Sequence, residues 1–139
     1  MSYEFSCHTW GFNDLTSIEA LGTIARMGFR YVDIGTGAHL NLSQLTQSRE
    51  RQQVIRDLID NLALFNLKVA DLYLMLPRIS VEDDKKRQTD IALFKALLPI
   101  AKAIQARGVT ISTGLIHPAA YAEAQRLLLD SLKKMNSSA

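Results

Sequence analysis

The chain is predicted to be an α/β protein made of four consecutive strand–helix units, the first half of a (β/α)8 barrel of the TIM type. Three observations predict this. Short apolar runs begin near Tyr3, Tyr31, Lys68 and Val109. Each is followed by a stretch whose apolar residues recur at helical spacing. No linker or low-complexity tract interrupts the series. Strands alternating with helices in this way imply parallel pairing through right-handed crossovers. At 139 residues the chain reads as one domain, 1–139, large enough for a single core.

The elements follow in order. Tyr3-Glu4-Phe5-Ser6-Cys7 alternates apolar and polar residues, as a short strand does. Trp10 to Asp14 reads as a loop. Thr16 and Glu19 have the spacing of a capping box, and Ile18, Leu21 and Ile24 continue as a helix that Gly28 closes. Tyr31-Val32-Asp33-Ile34 is a second strand, broken by Gly35-Thr36-Gly37, whose glycines permit positive φ and close backbone approach. A second helix runs from about Arg49 to Phe65 on a stripe of Val54, Leu58, Leu62 and Phe65, widened by Ile55 and Ile59. Val69 to Leu74 is the third strand, ended by Pro77. A charged loop, Glu82 to Arg87, leads to a third helix with Ile91, Phe94, Leu97 or Leu98, Ala101 and Ile104 inward. Pro99 should kink or restart that helix, and Gly108 should stop it. Val109-Thr110-Ile111-Ser112 is the fourth strand. Pro118 suits the first turn of a fourth helix that buries Tyr121, Ala124, Leu128, Leu132 and Met135.

Composition narrows the function classes. Sixteen basic against fourteen acidic residues leave a net charge of +2, too small to point to nucleic acid. The Lys85-Lys86-Arg87 run is offset by Glu82-Asp83-Asp84 and reads as a solvated loop and helix start. Cys7 is the single cysteine, so no intrachain disulfide can form, which fits a reducing compartment. With no signal peptide and no membrane-spanning apolar run, the expected location is cytoplasmic, with no membrane partner.

A small doubly wound sheet is the competing fold. It would carry a glycine-rich phosphate turn after its first strand. His8-Thr9-Trp10-Gly11 is no such turn, and Gly35-Thr36-Gly37 lacks the remaining glycine of that motif. Motifs for a serine hydrolase, a dithiol or a helical zinc site are also missing.

Several runs carry a family resemblance: Phe5-Ser6-Cys7-His8-Thr9-Trp10; Glu19-Ala20-Leu21; and Gly28 through Gly35. Gly37-Ala38-His39-Leu40, Asp71-Leu72-Tyr73 and Gly108 through Gly114 continue the series. Together they resemble the first half of the xylose isomerase-like TIM barrels, the sugar phosphate isomerase/epimerase superfamily with the AP endonuclease family 2 fold. The resemblance implies a metal-dependent sugar or sugar-phosphate isomerase/epimerase. It also implies a carbohydrate substrate and a divalent metal (Mn, Mg, Co or Zn). The usual Glu, Asp, His and Glu ligands come from strands five to eight, so no metal ligand is assigned to this sequence. The expectation is a chain that is inactive alone and completed by a C-terminal half. The alternative is a stand-alone half-barrel that closes as a homodimer, with a structural or small-molecule-binding role. The nuclease branch is disfavoured, because its histidine pattern does not match.

Seven residues are candidates for the pocket wall. By the resemblance, His8 and Trp10 after the first strand shape the sugar pocket, although a Trp there equally caps the mouth by packing alone. Asp33 within the second strand must be paired or face a polar site. His39 lies on the loop that resembles the family's. Asp71 and Tyr73 share one face of the third strand, with Leu72 on the other; a satisfied polar layer is the plainer explanation. His117 before Pro118 is substrate-facing or part of a helix start. Cys7 is expected to be a small core residue.

Overall fold

The structure is a computed structural model and describes residues 3–37, 39–41, 45, 47–112, 114 and 122–137. The chain alternates strands and helices: β1 (Ser6–His8), a 3₁₀ turn (Thr9–Phe12), α1 (Ser17–Arg26), β2 (Tyr31–Gly35) and α2 (Ser48–Leu64). Then come β3 (Lys68–Leu74), α3 (Asp84–Ala103), β4 (Gly108–Ile111) and α4 (Ala122–Asn136). The strands form one four-stranded parallel sheet in the order β1-β2-β3-β4. The first strand is shorter than its alternation predicts. Tyr3 and Phe5 lie outside it and are exposed.

The chain divides into two compact units, Met1–Tyr73 with Ile100–Thr110, and Leu74–Pro99 with Ile111–Ala139. In the first, the core holds Leu21 and Ile24 of α1, Val32 and Ile34 of β2, Leu58 and Leu62 of α2, and Val69 and Leu72 of β3. Ile18 and Ile59 fit the apolar pattern but remain exposed.

Local chemistry sets the helix ends. At α1 the predicted capping box is closed: Glu19 N–H donates to Thr16 Oγ1 (3.4 Å), and Thr16 N–H donates to Glu19 Oε2 (2.9 Å). The Thr16 hydroxyl and amide hold the Glu19 carboxyl below its ordinary range. Gly28, at φ +91°, ends the helix in the left-handed region. The other two ends in this unit use non-glycine residues there, Asn66 (φ 52°) after α2 and Gln105 (φ 54°) after α3. Both ends form the double reverse bond of a Schellman motif. Leu67 N–H donates to Leu62 O and Asn66 N–H to Ala63 O. Ala106 N–H donates to Ala101 O and Gln105 N–H to Lys102 O. The stop of α3 is therefore Gln105, whereas Gly108 belongs to β4. Nor does Pro99 restart α3, which runs through it.

In the second unit the segment after β3 is pinned from α3 and α4. Asp90, 1% exposed, accepts from Arg78 Nε (3.0 Å), Nη2 (2.6 Å) and backbone N–H (2.7 Å). Ser131 Oγ donates to Ile79 O (2.7 Å). Arg87 is buried, contrary to the solvated run expected. The helix already begins at Asp84, and the Arg87 guanidinium turns back to donate to Val81 O (2.6 Å) and Glu82 O (2.7 Å).

Gln105 is exposed and holds a left-handed conformation that costs an L-residue about 1 kcal/mol or more. Gln105→Gly should raise stability by about 0.5–1 kcal/mol in chemical denaturation, whereas Gln105→Val should lower it.

Candidate active site

Four of the candidates, His8, Asp33, Asp71 and Tyr73, lie on one face of the sheet. Register places Ser6 beside Tyr31 and His8 beside Asp33; on the other side, Asp33 pairs with Asp71 and Gly35 with Tyr73. A shift between Val32 and Asp33 makes this possible. Val32 pairs with Val69, but Asp33 pairs with Asp71, so Ala70 is an extra residue in β3. Without that bulge Asp71 would sit opposite Ile34, on the apolar face; a one-residue slip exchanges the faces of a strand. With it, Val32, Ile34, Val69 and Leu72 are buried on one side, while Asp33, Asp71 and Tyr73 are half-buried on the other.

Three rings gather at the C-terminal ends of β1 and β3. Centroid distances are 5.1 Å for His8–Trp10, 5.9 Å for His8–Tyr73 and 4.9 Å for Trp10–Tyr73, with interplanar angles of 60°, 72° and 80°. These tilted and edge-on arrangements suit the ring quadrupoles. Gly35 is their seat. A Cβ there would collide with Trp10 Nε1 and lie 2.6 Å from His8 Cε1. The cluster is held from behind. Trp10 Nε1–H donates to Thr36 O (3.0 Å), and Gly35 N–H donates to the buried Thr9 Oγ1 (3.2 Å). Trp10 N–H donates to His8 Nδ1 (3.0 Å), which requires Nδ1 to be bare and places the ring proton on Nε2.

The carboxylates differ. Asp33 accepts a 2.7 Å bond from Ser6 Oγ. Asp71 and the Tyr73 hydroxyl have no hydrogen-bond partner among the described residues, and Asp71 Oδ1 lies where a Cβ on Gly108 would be 3.0 Å away. A satisfied polar layer thus accounts for Asp33 but not for Asp71 and Tyr73. Burial first, then the charge of Asp33, holds the Cys7 thiol above the ordinary cysteine range.

His39 plays a different part. It is buried, with Nε2 at 3.0 Å from Leu15 O, so it ties the loop after β2 to the turn before α1. No described contact joins it to the three rings. His117 lies outside the described residues. The sequence reading passed over Ser6 and Thr9, since small hydroxyls beside a strand end give no signal until register shows what they face.

No family model matches the chain, and no curated protein matches it. Among the described residues no helix is long and apolar enough to cross a membrane.

Gly35→Ala should cost about 1–3 kcal/mol, the range for overpacking a filled site. It should also free Trp10, the chain's single tryptophan, so that its emission shifts to the red. The raised thiol means a smaller thiolate fraction than a free cysteine at any pH. Asp33→Asn should therefore move the pH–rate profile for Cys7 alkylation to lower pH, while the wild-type profile lies above that of a small thiol.

Proposed function

We propose that the chain is the first half of a xylose isomerase-like barrel and forms one wall of the sugar pocket in a metal-dependent sugar or sugar-phosphate isomerase or epimerase. One observation carries this reading: the sheet has an apolar face and a polar face, and the polar face carries His8, Asp33, Asp71 and Tyr73 beside Trp10. A doubly wound parallel sheet is covered by helices on both sides and is apolar on both. A barrel keeps its chemistry at the C-terminal strand ends.

In this reading Trp10 and Tyr73 offer aromatic surface to the C–H face of a sugar. Asp71 and Asp33 accept its hydroxyl protons, and His8 Nε2–H donates to a ring or carbonyl oxygen. A divalent metal belongs to the reaction class, where it polarises neighbouring oxygens. The described residues do not fit one: no three of His, Cys, Asp or Glu converge. In this reading the metal would be held, as in the family the chain resembles, by strands five to eight, and the residues named here would bind and orient the sugar. A second reading, closure with another copy, is favoured by the sheet order, which leaves the outer edges of β1 and β4 unpaired among the described residues.

Trp10 fluorescence tests the proposal. Titration with D-xylose and D-fructose should give saturable quenching that Asp71→Asn and Tyr73→Ala each weaken with the fold retained. Added Mn²⁺ should yield no isomerase turnover. Quenching unchanged in Asp71→Asn would sink the pocket, and turnover by the isolated chain would sink the half-site. A dimer in sedimentation would favour closure by a second copy.

A further inference from the structure

We propose a second site at the opposite, N-terminal end of the sheet, which binds a small organic phosphate through a cationic pocket and an adjoining aromatic wall. Successive strands each start from a cation: Arg30 precedes β2, Lys68 opens β3 and Arg107 precedes β4. Backbone bonds fix their spacing, with Lys68 N–H donating to Arg30 O (3.0 Å) and Arg107 N–H to Val69 O (3.3 Å). A cavity of about 350 Å³ is lined by Glu4, Arg30, Tyr31, Asn66 and Lys68. Arg30 and Lys68 form no ion pair with a described carboxylate, so their charge is available to a ligand.

Arg107 completes the site through Tyr31. Its Nη2–H donates to Tyr31 Oη (3.0 Å), and its guanidinium carbon lies 4.6 Å from that ring's centroid. Having accepted from a cation, the Tyr31 hydroxyl has its own proton to give. Guanidinium, ammonium, phenol and amide donors around one cavity match the acceptor-only oxygens of a phosphate, and the two cations Arg30 and Lys68 outweigh the single Glu4 carboxylate on its wall. A second cavity, of about 340 Å³, shares Glu4, Arg30 and Tyr31 and extends along Tyr3, Phe5 and Phe29. Tyr3 and Phe5 are 78% and 72% exposed, aromatic surface that the fold leaves uncovered. An anion with an apolar body would use both walls.

Helices α1, α2 and α3 also end here, and cations at helix C-termini complement the dipole. The last carbonyls of α2 and α3 already accept the backbone amides of Asn66, Leu67, Gln105 and Ala106. None of the three cationic side chains bonds a helix carbonyl among the described residues. Helix capping therefore does not account for them.

Calorimetric titration of the full chain with inorganic phosphate and with phenyl phosphate, in low chloride, tests the site. Both should bind saturably, phenyl phosphate the more tightly. Arg30→Gln and Lys68→Gln, at exposed positions, should each weaken both by about tenfold, the loss of one charge-assisted bond. The double variant Lys85→Gln/Lys86→Gln, which removes charge at the start of α3, should bind as wild type. Three results would each overturn the site: no saturable heat with either probe; equal losses in the Lys68 and Lys85/Lys86 variants; or a lower melting temperature in Lys68→Gln with phosphate affinity unchanged. Equal affinities for the two probes would overturn the aromatic wall.

Discussion

A side chain at position 35 would occupy the space that the His8 and Trp10 rings fill, and the ring cluster at the C-terminal ends of β1 and β3 depends on its absence. Trp10 reaches over β2 to donate to Thr36 O, His8 folds back to cap the 3₁₀ turn, and Tyr73 closes the group from β3. Each contact alone is worth little. Together they fix three rings whose edges and faces point in set directions. The backbone amide of Gly35 is itself held by the buried Thr9 hydroxyl, so the seat and the rings constrain one another.

The second constraint is the extra residue in β3. Polar groups gather on one face because the strand skips at Ala70 and then resumes its alternation. The apolar residues on either side of the skip, Val69 and Leu72, stay in the core. Burial of both fixes the register, and the polar pair Asp71 and Tyr73 is carried with Leu72 to the opposite side. In the other unit the same economy holds a loop. Asp90 and Arg87, both buried, bind backbone groups on the segment after β3, which offsets the cost of burying their charges.

Much of this was legible in the sequence because the signals are local. The capping box of Thr16 and Glu19 lies within one turn, and Gly28 marks its helix end because glycine takes a positive φ without the strain that an L-residue bears. The apolar stripe of α3 gave Ile91, Phe94, Ala101 and Ile104, all buried, and left Leu97 or Leu98 open, of which Leu97 is the buried one. Where a local signal was ambiguous it misled. Gly108 stood out as a stop, yet a glutamine takes the left-handed position, because two reverse backbone bonds and the docking of the next strand outweigh its strain. Lys85-Lys86-Arg87 read as one solvated run, yet Arg87 is buried while its neighbours are exposed. Charge patterning cannot tell which member of a run faces unsatisfied carbonyls.

The sequence by itself determined the order of strands and helices, most of their ends and the apolar faces, because periodicity and caps act between residues a few positions apart. It also singled out Trp10 on the loop after the first strand, and Asp33, Asp71 and Tyr73 within strands, as polar or aromatic groups of interest. Only the tertiary structure decided which of them meet. Register across three strands brought His8, Trp10 and Tyr73 together over Gly35, sent His39 to the Leu15 carbonyl, and set Arg30, Lys68 and Arg107 side by side at the far end. Apart from His8 and Trp10, those neighbours lie tens of residues apart in the chain. Their meeting depends on a bulge and on backbone bonds between strands, which leave no pattern at short range, and on Gly35, whose glycine was visible without the rings that would fill its place.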